Sequence, residues 1–413
     1  MTTTRVRRRV ALLAVIAAVV EFGAVSGGSA QEAEGARWVT AWATSQQALG
    51  PTQITNATVR MIARVTAGGE SVRVRLDNTF GTDPLVIGAA SVGPVMRGGA
   101  LTPGSNRPVH FGGSPSVTIE PGGTVESDPV AMRVIARQDL AVSLFIPEAD
   151  VRPSQHGQAN VTSYLSDSGS GNVAADESAE LFTATTTSTF WLKGIDVRSR
   201  SATGTVVGFG DSITDGSCTT LDAHDRWQDW FATRLYLAAP DAHLAVVNEG
   251  IGGNTISREG IRPPPTSPPG LERLERDVLS HAGVTHVILF MGTNDIRRES
   301  SAARLIADMR NIAERVKARG MSIIGTTIIP RHNRAPTASN SGWTPAKTRL
   351  RREVNHWILT SGTFDGVLDF DAVVRDPADR DRIAPSFDCD GIHPNPRGYF
   401  EMGAAVPLEL FTP

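Results

Sequence analysis

Near residue 200 the hydrophobic period of this 413-residue chain changes, and no single layer architecture accommodates both patterns. From Arg37 to Val197, short alternating stretches such as Ser71–Leu76, Ser116–Ile119, Val130–Ile135 and Leu140–Phe145 are separated by glycine-rich turns at Gly68-Gly69, Gly98-Gly99, Gly112-Gly113 and Pro121-Gly122-Gly123. A period of two places one face of each strand in a core, so this half predicts an all-β sandwich of the jelly-roll kind. After the polar stretch Arg198–Thr203, which reads as a linker, continuous apolar runs appear at Thr205–Phe209, His243–Val247, Thr285–Met291, Ser322–Ile329 and Gly366–Phe370. Helical patterns lie between and after them, at Arg226–Leu237, Gly270–Ser280, Ala302–Arg319, Pro345–Thr360 and Pro396–Leu410. Strands that are apolar throughout are buried on both faces, so residues 204–413 predict an α/β domain with a parallel sheet, following a β domain over residues 37–197.

The first thirty residues have the makeup of an export signal: Arg5, Arg7, Arg8 and Arg9, an apolar run from Val10 to Val20, then small residues ending at Ala30. Glu21 stops the apolar run well short of the roughly twenty residues that span a bilayer, so the reading is a cleaved signal, by the general or the twin-arginine route, with no stable membrane insertion. Cleavage after Ala30 would remove four Arg and one Glu and take the formal net charge from −3 to −6. An acidic chain without a basic stripe lacks the phosphate-neutralising term of nucleic-acid binding, and that class is set aside. Cys218 and Cys389 are the two cysteines, and an even pair in an exported chain predicts a disulfide.

Ligands of parallel sheets bind beyond the carboxyl ends of the strands, and four polar or glycine-bearing blocks fall there. They are Gly210-Asp211-Ser212-Ile213-Thr214-Asp215-Gly216, Asn248-Glu249-Gly250-Ile251-Gly252-Gly253-Asn254, Gly292-Thr293-Asn294-Asp295 and Asp390-Gly391-Ile392-His393-Pro394. Ser212 follows a buried strand, where a hydroxyl stands clear of the sheet. Asp390 and His393 are three residues apart, a spacing that lets a carboxylate orient an imidazole through Nδ1 while Nε2 faces a nucleophile. Asn294 offers a side-chain N–H, the glycine turn offers backbone N–H groups, and the Ser212 N–H makes a third donor for an oxyanion. The plainer readings are a turn serine, an exposed histidine and a helix cap at Asn294-Asp295.

These four blocks, in this order over residues 205–400, resemble the GDSL-type SGNH hydrolases. The resemblance implies a flavodoxin-like three-layer α/β/α sandwich, with Ser212 as nucleophile, Asp390 and His393 completing the triad, and Ser212, Gly253 and Asn294 forming the oxyanion hole. Gly253 rather than Gly252 is chosen because it directly precedes Asn254. Trp38-Val-Thr-Ala-Trp42 and the β-rich segment after it resemble, more loosely, exported bacterial members with an N-terminal β domain.

The expected reaction is acyl transfer through an acyl-enzyme, with no cofactor and no metal, because no His or Cys cluster has structural-zinc spacing and the triad supplies both acid and base. Asp215 and Asp295 are read as acceptors that stabilise loops. The substrate is a small-molecule or polysaccharide ester, as for a carbohydrate acetylesterase or arylesterase. A lipase or phospholipase acting on longer acyl chains is the alternative, with Trp343, Trp357 and the proline-rich loop at residues 263–269 available to line an acyl or a sugar site. In a different class stands a carbohydrate-binding protein with an inactive hydrolase domain. Acyl and alcohol preference and oligomeric state are not written in the sequence.

Overall fold

A computed structural model describes residues 1–2, 35–332 and 342–411, and Ala36–Pro413 cluster as one compact unit. The export signal expected at residues 1–30, with its cleavage point, lies outside the described residues apart from Met1 and Thr2.

The first half is built of antiparallel sheets. One five-stranded sheet runs Arg37–Ala43, Leu192–Ser199, Gly69–Asp77, Thr124–Glu126, with Val130–Val134 also paired to Gly69–Asp77. A seven-stranded sheet has Ala57–Arg64, Asp139–Ile146 and Ala89–Arg97 as adjacent central strands. Val72, Val74 and Leu76 from the first sheet and Val59, Met61, Leu140, Val142 and Leu144 from the second share one buried core. Some of the intervening residues of the first sheet are buried as well, Arg75 among them. Arg75 reaches His281 of the second half, its Nη2 donating to Nδ1 over 2.7 Å. A short third sheet pairs Ser154–His156 with both Thr189–Phe190 and Ala48–Leu49.

The second half carries five parallel strands, Ala202–Gly210, His243–Gly250, Val284–Phe290, Ser322–Thr326 and Gly366–Leu368, in spatial order second, first, third, fourth, fifth. Among the described residues eight α-helices accompany them: α1 Ser212–Asp215, α2 Trp227–Ala238, α3 Gly270–Leu274, α4 Thr293–Arg297, α5 Ala302–Lys317, α6 Pro345–Thr360, α7 Phe370–Val374 and α8 Pro396–Ala405. Alternate strand residues face opposite layers. Val207, Phe209 and Leu289 pack with α3, α5 and α6, while Val206, Ile288 and Phe290 pack with α2, α7 and α8. That order is the flavodoxin-like one, and it reverses between the first and third strands, where ligands of such sheets bind.

Three sequence boundaries are corrected. The stretch Arg198–Thr203 is not a free linker, because Arg198 and Ser199 pair with the strand at Arg37 and Ala202 and Thr203 open the first parallel strand. The helix expected over Gly270–Ser280 changes at Leu274 into a π-helical turn, Glu275–Leu279. The last helix stops at Ala405 rather than Leu410, because Pro407 has no N–H to continue the ladder and disfavours helical backbone at Val406. Among the described residues no helix is long and apolar enough to cross a membrane.

Candidate active site

Ser212 sits at the head of α1, directly beyond the first parallel strand. Asp211 caps the helix by accepting the Ile213 N–H at 3.0 Å, and Gly216 ends it in the left-handed region. The short helix lies against the end of the second parallel strand. A Cβ on Gly250 would stand 2.2 Å from the Asp215 nitrogen, so only glycine admits this approach.

The loop before α8 delivers the other two groups. His393 Nε2 lies 2.8 Å from Ser212 Oγ, and its Nδ1 lies 2.9 Å from Asp390 Oδ2. The other carboxylate oxygen, Oδ1, accepts the backbone N–H groups of Ile392 and His393 at 3.0 and 2.9 Å. Partial burial pushes the Asp390 carboxyl up, but the His393 ring and these N–H groups outweigh it and bring the carboxyl down to about 2. An ionised Asp390 can only accept, so the imidazole proton is on Nδ1 and Nε2 is free to accept from the serine hydroxyl. A disulfide joins Cys218, six residues beyond Ser212, to Cys389, which precedes Asp390. Tyr399 of α8 adds a second tie, its hydroxyl donating to the Ser217 carbonyl at 2.8 Å.

The expected oxyanion donors converge on the same pocket. Ser212, Gly253, Asn294 and His393 all line a cavity of about 370 Å³. Asn294 belongs to the first turn of α4, which is capped by Gly292 and not by Asn294 itself. One of its side-chain hydrogens is committed to the Asn254 carbonyl at 3.0 Å, which fixes the amide plane and leaves the second for the pocket. The choice between the two glycines has a physical basis. The Gly252 N–H is engaged by Asp215 Oδ2 at 2.9 Å, whereas the Gly253 N–H has no hydrogen-bond partner among the described residues, and Gly253 takes φ +71°.

Both acidic residues read as loop acceptors have partners of that kind. Asp215 accepts from Gly252 and from His156 Nε2, the latter at 3.0 Å, and Asp295 accepts the Ile256 N–H at 2.9 Å. Burial pushes the Asp295 carboxyl up to about 7 and Asp211 up to about 6.

Sequence reasoning missed several residues at this site. Gln47 and Gln158 from the antiparallel half line the pocket, as do Arg297 and Arg331. Arg331 is buried, and desolvation together with neighbouring Arg297 lowers its pKa to about 10. No short-range pattern marks the glutamines, because their proximity to Ser212 depends on how the two halves meet. Trp343, Trp357 and residues 263–269 are not among the lining residues; Trp343 donates to Thr348 at 3.0 Å and Trp357 packs edge-on to Phe364.

Behind the site, Arg273 ties the strand ends together. Its guanidinium donates to the carbonyls of Gly210 and Glu249, each at 2.8 Å, to Asn254 Oδ1 at 3.0 Å and to Ser45 Oγ at 2.8 Å. The loops after the first and second strands are thereby referenced to one rigid plane.

Comparison with known proteins places this site in a family. No curated protein matches the chain. Among solved structures, a carbohydrate acetylesterase from Sinorhizobium meliloti is similar at 18% identity over 49% of this chain and 95% of its own, with a TM-score of 0.38. A GDSL-like lipase from Bacteroides thetaiotaomicron VPI-5482 is similar at 19% identity over 50% of this chain and 87% of its own, with a TM-score of 0.37. A member of the lipolytic protein G-D-S-L family from Veillonella parvula DSM 2008 is similar at 20% identity over 50% of this chain and 97% of its own, with a TM-score of 0.36. The sequence profile of the GDSL-like Lipase/Acylhydrolase family matches residues 209–399, a span that opens one residue before Gly210-Asp211-Ser212 and ends at Tyr399 in α8. Over that span the chain carries a domain of the GDSL-like lipase/acylhydrolase family.

Proposed function

We propose that the protein is a secreted serine esterase that removes short acyl groups, acetyl above all, from polar alcohols such as sugars. The observation that carries the mechanism is the unbroken relay from Asp390 through His393 to Ser212, with contacts of 2.9 and 2.8 Å. His393 takes the Ser212 proton as the hydroxyl attacks the ester carbonyl, and the oxyanion that forms is held by the N–H groups of Ser212 and Gly253 and by Asn294 Nδ2. The protonated imidazole, stabilised by Asp390, then gives its proton to the departing alcohol. Water, activated by the same ring, releases the acid from the acyl-enzyme.

Pocket chemistry supports a short acyl group and a polar alcohol over a long acyl chain. Among the described residues, Gln47, Gln158, Asn294, Arg297 and Arg331 share the lining with one large aliphatic side chain, that of Ile392. A lipid acyl chain would strip water from the Gln47 and Gln158 amides without offering them a hydrogen bond, at a cost of the order of 1–3 kcal/mol for each one left unsatisfied. Export is supported by the residues before Ala30 and by the Cys218–Cys389 bond, which belongs to oxidising compartments. At the domain level, the reading is a jelly-roll-like sandwich over residues 37–197 and a hydrolase domain over residues 204–413, supported by the core that the two large antiparallel sheets share.

The test is hydrolysis of p-nitrophenyl esters from acetate to palmitate by wild type, S212A and H393A. We expect acetate to be the best substrate and both substitutions to lower kcat by at least about a thousandfold. A folded wild type inert toward the whole series and toward a serine-reactive phosphonate would reject the esterase in favour of a carbohydrate-binding protein, and best activity on palmitate would reject the short-acyl reading.

A further inference from the structure

We infer that His156, contributed by the antiparallel half of the chain, is a positioning residue for the oxyanion hole: it holds Asp215, and Asp215 holds the loop that presents the Gly253 N–H. The inference rests on the reading of Ser212 as the nucleophile.

His156 closes the short strand Ser154–His156, which is held on both sides by Ala48–Leu49 and Thr189–Phe190, so its backbone does not depend on the hydrolase half. Its ring is 2% exposed and wedged between two acceptors. Nδ1 lies 2.8 Å from the Ser45 carbonyl oxygen, which can only accept, and Nε2 lies 3.0 Å from Asp215 Oδ1. Both nitrogens therefore act as donors, and the ring is an imidazolium facing a carboxylate. Burial alone disfavours that charge, but Asp215 and the Ser45 carbonyl outweigh it and keep the pKa above the ordinary histidine value; Arg226 opposes them. Ser45 is in turn fixed by Arg273, whose Nη1 donates to its hydroxyl at 2.8 Å.

Asp215 is where this support meets the chemistry. It lies three residues after Ser212 in α1, and its N–H donates to the Asp211 carbonyl at 2.8 Å in the turn that carries the nucleophile. Its second oxygen, Oδ2, accepts the Gly252 N–H at 2.9 Å. That bond fixes the Ile251–Gly252 peptide, one peptide before the one that carries the Gly253 N–H, and Gly253 itself lies in the left-handed region, where its lack of a Cβ leaves the backbone otherwise free to turn. Without the imidazolium, Asp215 is a carboxylate at 3% exposure with its charge partner gone. It must swing toward Arg226 or admit water, and either response loosens the Gly252 contact. An oxyanion donor acts only over a narrow range of position, so a shift well under 1 Å at Gly253 weakens the transition state while leaving ground-state binding almost untouched.

The experiment compares wild type, H156L and H156Q with p-nitrophenyl acetate. It records kcat and KM separately, the rate at which a p-nitrophenyl phosphonate labels Ser212, and the Tm. For H156L we expect kcat and the labelling rate to fall together by roughly tenfold to a hundredfold with KM changed less than about threefold. H156Q, which keeps one N–H donor able to reach Asp215, should recover part of that loss. Where H156L fails to fold, H156Q carries the same comparison. Folded variants with wild-type kcat and labelling rate would overturn the inference, as would a loss of kcat no larger than the loss of folded protein. A wild type inert to both reagents would instead overturn the esterase reading and this inference with it.

Discussion

Asp295 illustrates how one buried atom sets a pH response. Its Oδ1 accepts from Ile256, while Oδ2 is buried with no hydrogen-bond partner, an environment suited to a neutral carboxyl. Burial raises its pKa from 3.8 to about 7. A carboxyl raised in this way adds stability that is fully present below the unfolded pKa and is lost as pH rises through the folded one, here between about pH 4 and 7. D295N keeps the acceptor for Ile256 and does not titrate. Urea midpoints at pH 5 and pH 8 should therefore move in its favour by on the order of 2 kcal/mol as pH rises. Equal pH dependence for the two proteins would refute this. The contrast with Ser212, Asp390 and His393 explains what is legible in a sequence. Ser212, Asn294, Asp390 and His393 are readable because each stands in a short block at a strand end, where local order fixes its place. His156, Gln47 and Gln158 are not, because their roles arise from contacts between halves of the chain, such as His156 with Asp215, 59 residues away.

Among the elements, α1 carries Ser212 and the loop before α8 carries His393, and the disulfide from Cys218, just beyond α1, to Cys389 ties the two together across 171 residues of chain. The chain-entropy model gives about 5 kcal/mol for closing a loop of that length, and measured disulfides commonly return 2–4 kcal/mol. The C218S/C389S pair should lose stability in that range in urea, and its kcat on p-nitrophenyl acetate should fall with it. An unchanged kcat would mean that Tyr399 and its bond to Ser217 suffice to hold the loops together. Element positions were readable wherever caps and prolines mark them. The start of α6 follows from Thr344, which accepts the Lys347 N–H, and from Pro345 in the first turn. Boundaries were missed where no residue type announces the change, as at the α3 to π-turn junction at Leu274. Apolar periodicity continues through that junction, so a helix with one extra residue per turn is invisible to it.

At the scale of the whole molecule, the two halves meet through buried charge. Lys193 of the antiparallel half lies 3.0 Å from Asp277 and 3.6 Å from Asp77, all at 4% side-chain exposure or less. His281, which accepts from Arg75, places its other nitrogen 2.6 Å from Glu249. Removing one partner of such a buried pair typically costs 3–5 kcal/mol, whereas an exposed pair such as Arg258–Glu272 is worth about 1 kcal/mol or less. K193M should therefore destabilise the protein by about 3 kcal/mol, because Asp277 keeps Arg273 and Arg276, while R258M stays within about 1 kcal/mol in the same urea titration. Similar losses for the two variants would refute the ranking. Because Gln47 and Gln158 border the cavity from a stretch of sequence that contains neither Ser212 nor His393, the proposed esterase would draw its substrate choice and its bond-breaking from separate parts of the chain. Insertions, deletions or exchanges near residues 47 and 158 can retune what the protein accepts without rewriting its chemistry, provided the His156 wedge survives the change.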